Sequence, residues 1–145
     1  TKQQIDEALK VAQAYDFVYS QKDGIDSEVS QGGTNFSGGQ KQRLCIARAI
    51  VKNPDYFIFD DSFSALDYKT DMTLREALAK NTKDATKIIV AQRVSTVLNA
   101  DKIIYLEDGK FLGIGTHKEL FESCSEYREV VLSQITMEEA TSNGK

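Results

Sequence analysis

Two short stretches carry side chains fit for chemistry. In YFIFDD, residues 56–61, an apolar run ends in two adjacent carboxylates, Asp60 and Asp61. A carboxylate at the end of a buried strand in a nucleotide-binding sheet holds Mg²⁺ through water, and a second acid beside it can orient an attacking water. The pair also suits a plainer task, because strand-end aspartates often cap the turn or helix that follows. In NFSGGQKQR, residues 35–43, Ser37 and Gln40 have the S-x-x-Q spacing of a capping box, which marks a helix start. That reading leaves Gly38 and Gly39 unexplained, since a glycine in the first turn costs up to about 1 kcal/mol relative to alanine. Bare backbone N–H groups at the positive end of a helix dipole suit a phosphate.

The surrounding helices, strands and turns follow from periodicity and breakers. Residues 1–20 place Ile5, Leu9, Ala12 and Tyr15 or Val18 at helical spacing behind a Thr1 cap. Residues 20–35 are rich in Gly, Ser and Asp and read as loop. A helix from Ser37 buries Leu44, Ala47 and Ile50 or Val51, and Pro54 stops it. YFIF then reads as a buried strand, 68–80 as a helix carrying Met72, Leu74, Ala77 and Leu78, and 85–92 as a second buried strand. Asp108-Gly109 between two strand-like runs predicts a hairpin over 101–115. Thr116-x-x-Glu119 opens a final helix to about Gln134, and the remainder, 135–145, reads as a flexible tail. This order of elements implies an α/β protein.

Bulk properties narrow the function. The 145 residues suit one domain, and 18 Lys+Arg against 22 Asp+Glu give a net charge of −4. A general nucleic-acid binder needs a basic surface, so nucleic acid is not an expected partner. No apolar run approaches the ~18 residues of a bilayer span, and TKQQIDEALK does not resemble a signal peptide. Cys45 and Cys124 stand far apart without a CxxC, and the chain has one histidine, a poor basis for a zinc site. A reducing, cytoplasmic setting fits these features best, and a membrane role would come from segments outside this chain.

Taken in order, these motifs resemble the nucleotide-binding domain of an ATP-binding-cassette (ABC) transporter. FSGGQ, 36–40, is similar to the signature motif, YFIFDD to Walker B, and SALD, 64–67, to the D-loop. SEVSQGG, 27–33, resembles the X-loop of exporters, and ADKIIYLEDGKFLGIGTHKEL, 100–120, their late hairpin and helix. The resemblance covers residues 1 to about 134. It implies a partial P-loop NTPase (RecA-like) fold, with a helical subdomain at about 1–53 and a Walker B to C-terminal helix portion at 54–134. It implies ATP and Mg²⁺ as ligands of the full domain, with Asp60 holding Mg²⁺ through water. It also implies a second nucleotide-binding domain and a transmembrane domain as partners, at the cytoplasmic face of a membrane. Asp67 would meet the partner domain, and Glu28 the transmembrane coupling helices.

Three departures from the family pattern qualify this. G-x-x-x-x-G-K-[ST], the Walker A phosphate loop, is missing, and neither the adenine-stacking aromatic nor the Q-loop can be identified. The chain therefore reads as the C-terminal portion of a longer polypeptide, expected to bind ATP poorly alone and to leave sheet edges and apolar faces uncovered. Asp61 stands where the family has a catalytic Glu, and one methylene less withdraws the carboxylate by about 1 Å, a displacement costing on the order of a hundredfold. Gln92 stands where the family has its switch histidine, and it lacks an ionisable ring. With the signature close to the family form, the pattern is similar to one half of a heterodimeric, multidrug-type exporter. Its own site, with Asp61 and Gln92, would be degenerate. Ser37, Gly38, Gly39 and Gln40 would complete a hydrolysing site on ATP held by the partner. The alternatives are a non-transport ABC ATPase of the DNA-repair kind and a nucleotide-binding regulatory module without hydrolysis. Lys41, Arg43 and Arg48 read as a solvated helix face or as members of local ion pairs, Cys45 as a packing residue and His117 as a surface or capping residue.

Overall fold

The computed structural model describes residues 1–142, which fall into two units, Thr1–Ile88 and the chain from Ile89 onward. In the first unit, α1 (Lys2–Val11) opens on a complete capping box between Thr1 and Gln4. The helix expected to run on to residue 20 breaks at Gln13, whose φ of +56° is left-handed, and α2 (Tyr15–Tyr19) resumes beyond it. α3 (Gly38–Val51) ends before Asn53, itself at φ +44°, where Pro54 forbids further helix. Ile46 and Ala47 form its buried stripe, with Leu44 and Ile50 half-buried and Val51 exposed. Cys45 is exposed, so the packing role expected for it is incorrect: it falls one residue outside the stripe.

β1 (Tyr56–Asp60) and β2 (Thr86–Val90) form a two-stranded sheet, and α4 (Tyr68–Asn81) lies between them in sequence. α4 buries Leu74 and Leu78, while Met72 is exposed. Both strands were expected to be buried, and neither is buried throughout. Phe57 and Phe59 are 4% and 3% exposed, stacked at 5.7 Å between ring centroids, while Tyr56 and Ile58 are 70% and 72% exposed. Ile88 is exposed as well. The apolar run thus reflects a strand with two greasy faces, of which the described residues of this unit cover one.

In the second unit, β3 (Ile103–Glu107) and β4 (Lys110–Gly115) pair antiparallel with Ile103 opposite Gly115 and Glu107 opposite Lys110. Asp108 and Gly109 both take positive φ, +49° and +72°, as the two-residue turn predicted from their types requires. A bulge between Tyr105 and Leu106 makes Leu106 face Phe111. One face of the hairpin turns Ile103 and Tyr105 toward Tyr127, while Ile104, Leu106, Phe111 and Ile114 stay exposed. α5 (His117–Ser123) opens on the predicted Thr116–Glu119 capping box. The single final helix expected to Gln134 is instead two, because Cys124 (φ −117°, ψ 110°) separates α5 from α6 (Ser125–Gln134).

The stretch read as a flexible tail also folds: α7 spans Met137–Ser142, and residues 143–145 lie outside the described residues. Its start repeats the motif seen upstream, for Thr136 N–H donates to Glu139 at 2.9 Å and Glu139 N–H to Thr136 Oγ1 at 3.3 Å. His117 holds it down. The ring is 2% exposed, with Nδ1 at 2.9 Å from the Tyr127 hydroxyl and Nε2 at 2.8 Å from the Ala140 carbonyl. A carbonyl only accepts, so Nε2 carries a proton, and in the neutral ring the Tyr127 hydroxyl donates to Nδ1. Burial also pushes the Tyr127 hydroxyl up to about 12. The surface or capping reading of His117 is therefore wrong: α7 covers a ring that the local sequence leaves open.

Candidate functional site

The first turn of α3 is built to leave donors free. Ser37 Oγ accepts from Gln40 N–H at 3.2 Å, and Gln40 Oε1 accepts from Ser37 N–H at 2.9 Å, closing the predicted capping box. The amides of Gly38 and Gly39 occupy the first two helical positions, where helix geometry supplies no acceptor. No acidic residue stands in that turn, so the helix supplies no carboxylate of its own to offset its positive end. The turn lines a cleft of about 310 Å³ whose other wall is Ala65, Leu66 and Asp67. This donor set fits an anionic oxygen group such as a phosphate.

Gly39 has a second reason to be glycine. A Cβ placed there would lie 2.9 Å from the Ala65 carbonyl oxygen, a backbone atom with little freedom to retreat. The close approach joins two motifs 26 positions apart. Arg43 braces the same corner: it donates to Gly39 O at 3.3 Å and to Gln13 O, and its guanidinium lies 4.7 Å from the Phe17 ring centroid. Burial lowers its pKa from the ordinary value, opposed by the Asp67 charge. Arg43 is thus a bracing residue rather than part of a solvated face. Arg48 is exposed, as that reading expected.

Asp60 ends β1 and Asp61 follows at φ +48°, a left-handed turn that aspartate tolerates better than most residues, and both are exposed. Gln42 of α3, which sequence reasoning passed over, donates to the Asp61 carbonyl at 3.2 Å. Asp67 caps α4, accepting from Thr70 N–H at 3.0 Å and from the Thr70 hydroxyl at 2.7 Å, and these bonds hold its carboxyl below the usual range. Glu28 is exposed in a loop closed by Asn35, which accepts from Ser30 N–H at 3.2 Å and donates to Glu28 O at 3.1 Å. Asn35 also had no sequence signal beyond its type.

Ser37, Gly38, Gly39, Gln40, Asp60, Asp61, Asp67 and Glu28 all lie in the first unit. Gln92 lies in the second, exposed, where Gln134 grips its backbone by donating to Gln92 O at 3.0 Å and accepting from Val94 N–H at 2.8 Å. Among the described residues, no group of three or more His, Cys, Asp and Glu side chains could hold a metal ion. A divalent cation here would rest on Asp60 with water and ligand oxygens completing its shell, the manner of binding Mg²⁺ favours.

Residues 1–64 match the family described as ABC transporter. Over 134 residues, 92% of this chain, it is 48% identical to an uncharacterized ABC transporter ATP-binding protein of Mycobacterium bovis, covering 23% of that protein. It is 42% identical, again over 92% of its length, to the ABC multidrug transporter MDR1 of Cryptococcus neoformans var. grubii, covering 10% of it. A solved bacterial Atm1-family ABC exporter with ATP bound superposes with a TM-score of 0.86 at 34% identity, over 92% of this chain and 23% of that one. The fold is therefore mixed α/β, that of an ABC exporter nucleotide-binding domain in the P-loop NTPase class. By sequence the chain is similar to ABC transporter ATP-binding proteins, spanning about a quarter or less of the relatives it matches. No helix among the described residues is long and apolar enough to cross a membrane.

Proposed function

We propose that this chain is the C-terminal part of the ATP-binding domain of an ABC exporter, coupling ATP binding and hydrolysis to transport. The observation that carries the reading is the first turn of α3: two glycine amides without helical acceptors, no acid within the turn, and an open cleft bounded by the Asp67 loop. Ser37, Gly38, Gly39 and Gln40 bind the phosphates of ATP held by a partner nucleotide-binding domain, and Asp67 contacts that partner. Asp60 holds Mg²⁺ through water on the chain's own side, and the cation offsets charge on the phosphates there. Asp61 and Gln92 make that side a slow, degenerate site, so the partner is a different chain with a full catalytic set. Glu28 contacts the transmembrane domain at the cytoplasmic face of the membrane. The 145 residues alone hydrolyse no ATP.

The test is ATP hydrolysis by the intact transporter polypeptide purified without its partner, as wild type and with Asp61→Glu plus Gln92→His. Near-silence of the wild type, with activity restored by the double change, supports the degenerate site. Brisk turnover by the wild type that the changes barely alter would sink it in favour of a homodimer.

A further inference from the structure

The side-chain amide of Gln42 makes three hydrogen bonds, all to the loop that follows β1. Nε2 donates to the Asp61 carbonyl at 3.2 Å and to Ser64 Oγ at 3.1 Å, and Oε1 accepts from Ala65 N–H at 3.0 Å. Ser64 Oγ also donates to the Asp61 carbonyl, at 3.0 Å, so donors converge on a residue held at φ +48°. One turn back along α3, Gly39 admits the Ala65 carbonyl at a distance that a side chain would forbid. The loop thus meets α3 through hydrogen bonds at one end and backbone contact at the other.

A primary amide serves donors and acceptors at once. A carbonyl needs a donor and an N–H needs an acceptor, so Glu loses the donated bonds and Lys the accepted one. We propose that Gln42 is a positioning residue that locks the Asp61–Asp67 loop onto α3, fixing the Asp61 backbone relative to Ser37–Gly39. On the function proposed above, Asp61 serves the chain's own nucleotide and Ser37–Gly39 the partner's. Gln42 then ties two half-sites together within one chain.

The experiment uses the intact transporter with its partner, as wild type, Gln42→Ala and Gln42→Glu. It reads hydrogen exchange at the Ala65 amide together with kcat and KM for ATP. Gln42→Ala is expected to speed Ala65 exchange and to lower kcat roughly tenfold with little change in KM, because it misplaces groups without removing a ligand contact. Gln42→Glu, of nearly the same shape, should keep Ala65 protected while still lowering kcat, since it loses the two donated bonds that hold the loop against Ser37–Gly39, the groups serving the hydrolysing site. It also decides the matter if the alanine variant fails to assemble. Unchanged Ala65 exchange in Gln42→Ala, or an unchanged kcat in Gln42→Glu, overturns the proposal. Ala65 exchange reads the lock whether or not Asp61 lies in a degenerate site, so failure of that assignment shows separately, in the Asp61→Glu, Gln92→His comparison.

Discussion

α3 and α5 begin with the same device and put it to different ends. Each opens on a hydroxyl cap bonded to the N–H three residues on, with that residue's side chain bonded back to the cap's N–H. In α5 the returning group is Glu119, a carboxylate that offsets the positive helix end, and the first helical position holds the buried ring of His117. In α3 the returning group is neutral Gln40, followed outward by two glycines and an open cleft. One helix start is sealed by its own charge and packing, and the other is left charged and bare. A capping box therefore says where a helix begins, and the residues inside it decide whether anything else can bind there.

The largest expected effect comes from filling the bare end. Gly39→Val drives side-chain atoms into the Ala65 carbonyl, which already lies 2.9 Å from an added Cβ. ATPase activity of the assembled transporter should fall on the order of a hundredfold, as displaced catalytic groups typically cost. Wild-type rates from this variant would remove the α3 start from the site.

Gln40→Glu is a sharper test, because it gives α3 the chemistry of α5. The carboxylate can still accept from Ser37 N–H, and a negative charge in the first turn adds about 0.3–1 kcal/mol to helix stability. The same charge repels a phosphate, so KM for ATP should rise roughly tenfold, about 1.4 kcal/mol in binding. Thermal melting and steady-state kinetics should move in opposite senses. If both improve, no anion binds at this helix end.

Thr116→Ala removes the cap of the sealed helix and should cost about 1 kcal/mol of stability, read by denaturant unfolding, with ATPase kinetics unchanged.

The smallest effect is acid sensitivity. Backbone and side-chain hydrogen bonds from Thr116 and Thr136 lower the pKa of Glu119 and Glu139, and those from Thr70 lower that of Asp67. A carboxyl lowered on folding stabilises above its unfolded pKa and loses that contribution as pH falls through the folded value. Stability should thus be flat from neutral pH down to about 5 and decline below about 4. Replacing Glu119 by Gln should shrink the decline in an acid titration of unfolding, whereas Gln40 has no proton to contribute.

Much of this was legible locally. Thr1, Ser37 and Thr116 announced three helix starts, Asp108-Gly109 a tight turn and Pro54 a stop, since each acts on neighbours within four residues. Thr136-x-x-Glu139 carried the same signal, and the absence of a long apolar face hid it. The proposed site was legible as residue types in order. Its bracing was not: Gln42 meets a loop about 20 positions away, Arg43 reaches back 30 residues to Gln13, and Gln134 spans 42 to Gln92.

The caps, the turns, the paired glycines and the paired acids follow from residue order alone, because all are short-range chemistry. Folding added that Gly39 must be small for Ala65, that His117 is buried beneath α7, and that the described residues cover β1 on one face alone. The reason is physical: hydrogen bonds along a helix or across a turn are set by spacing in the chain. Burial and close approach depend on which distant segment arrives, and side-chain type alone does not name it.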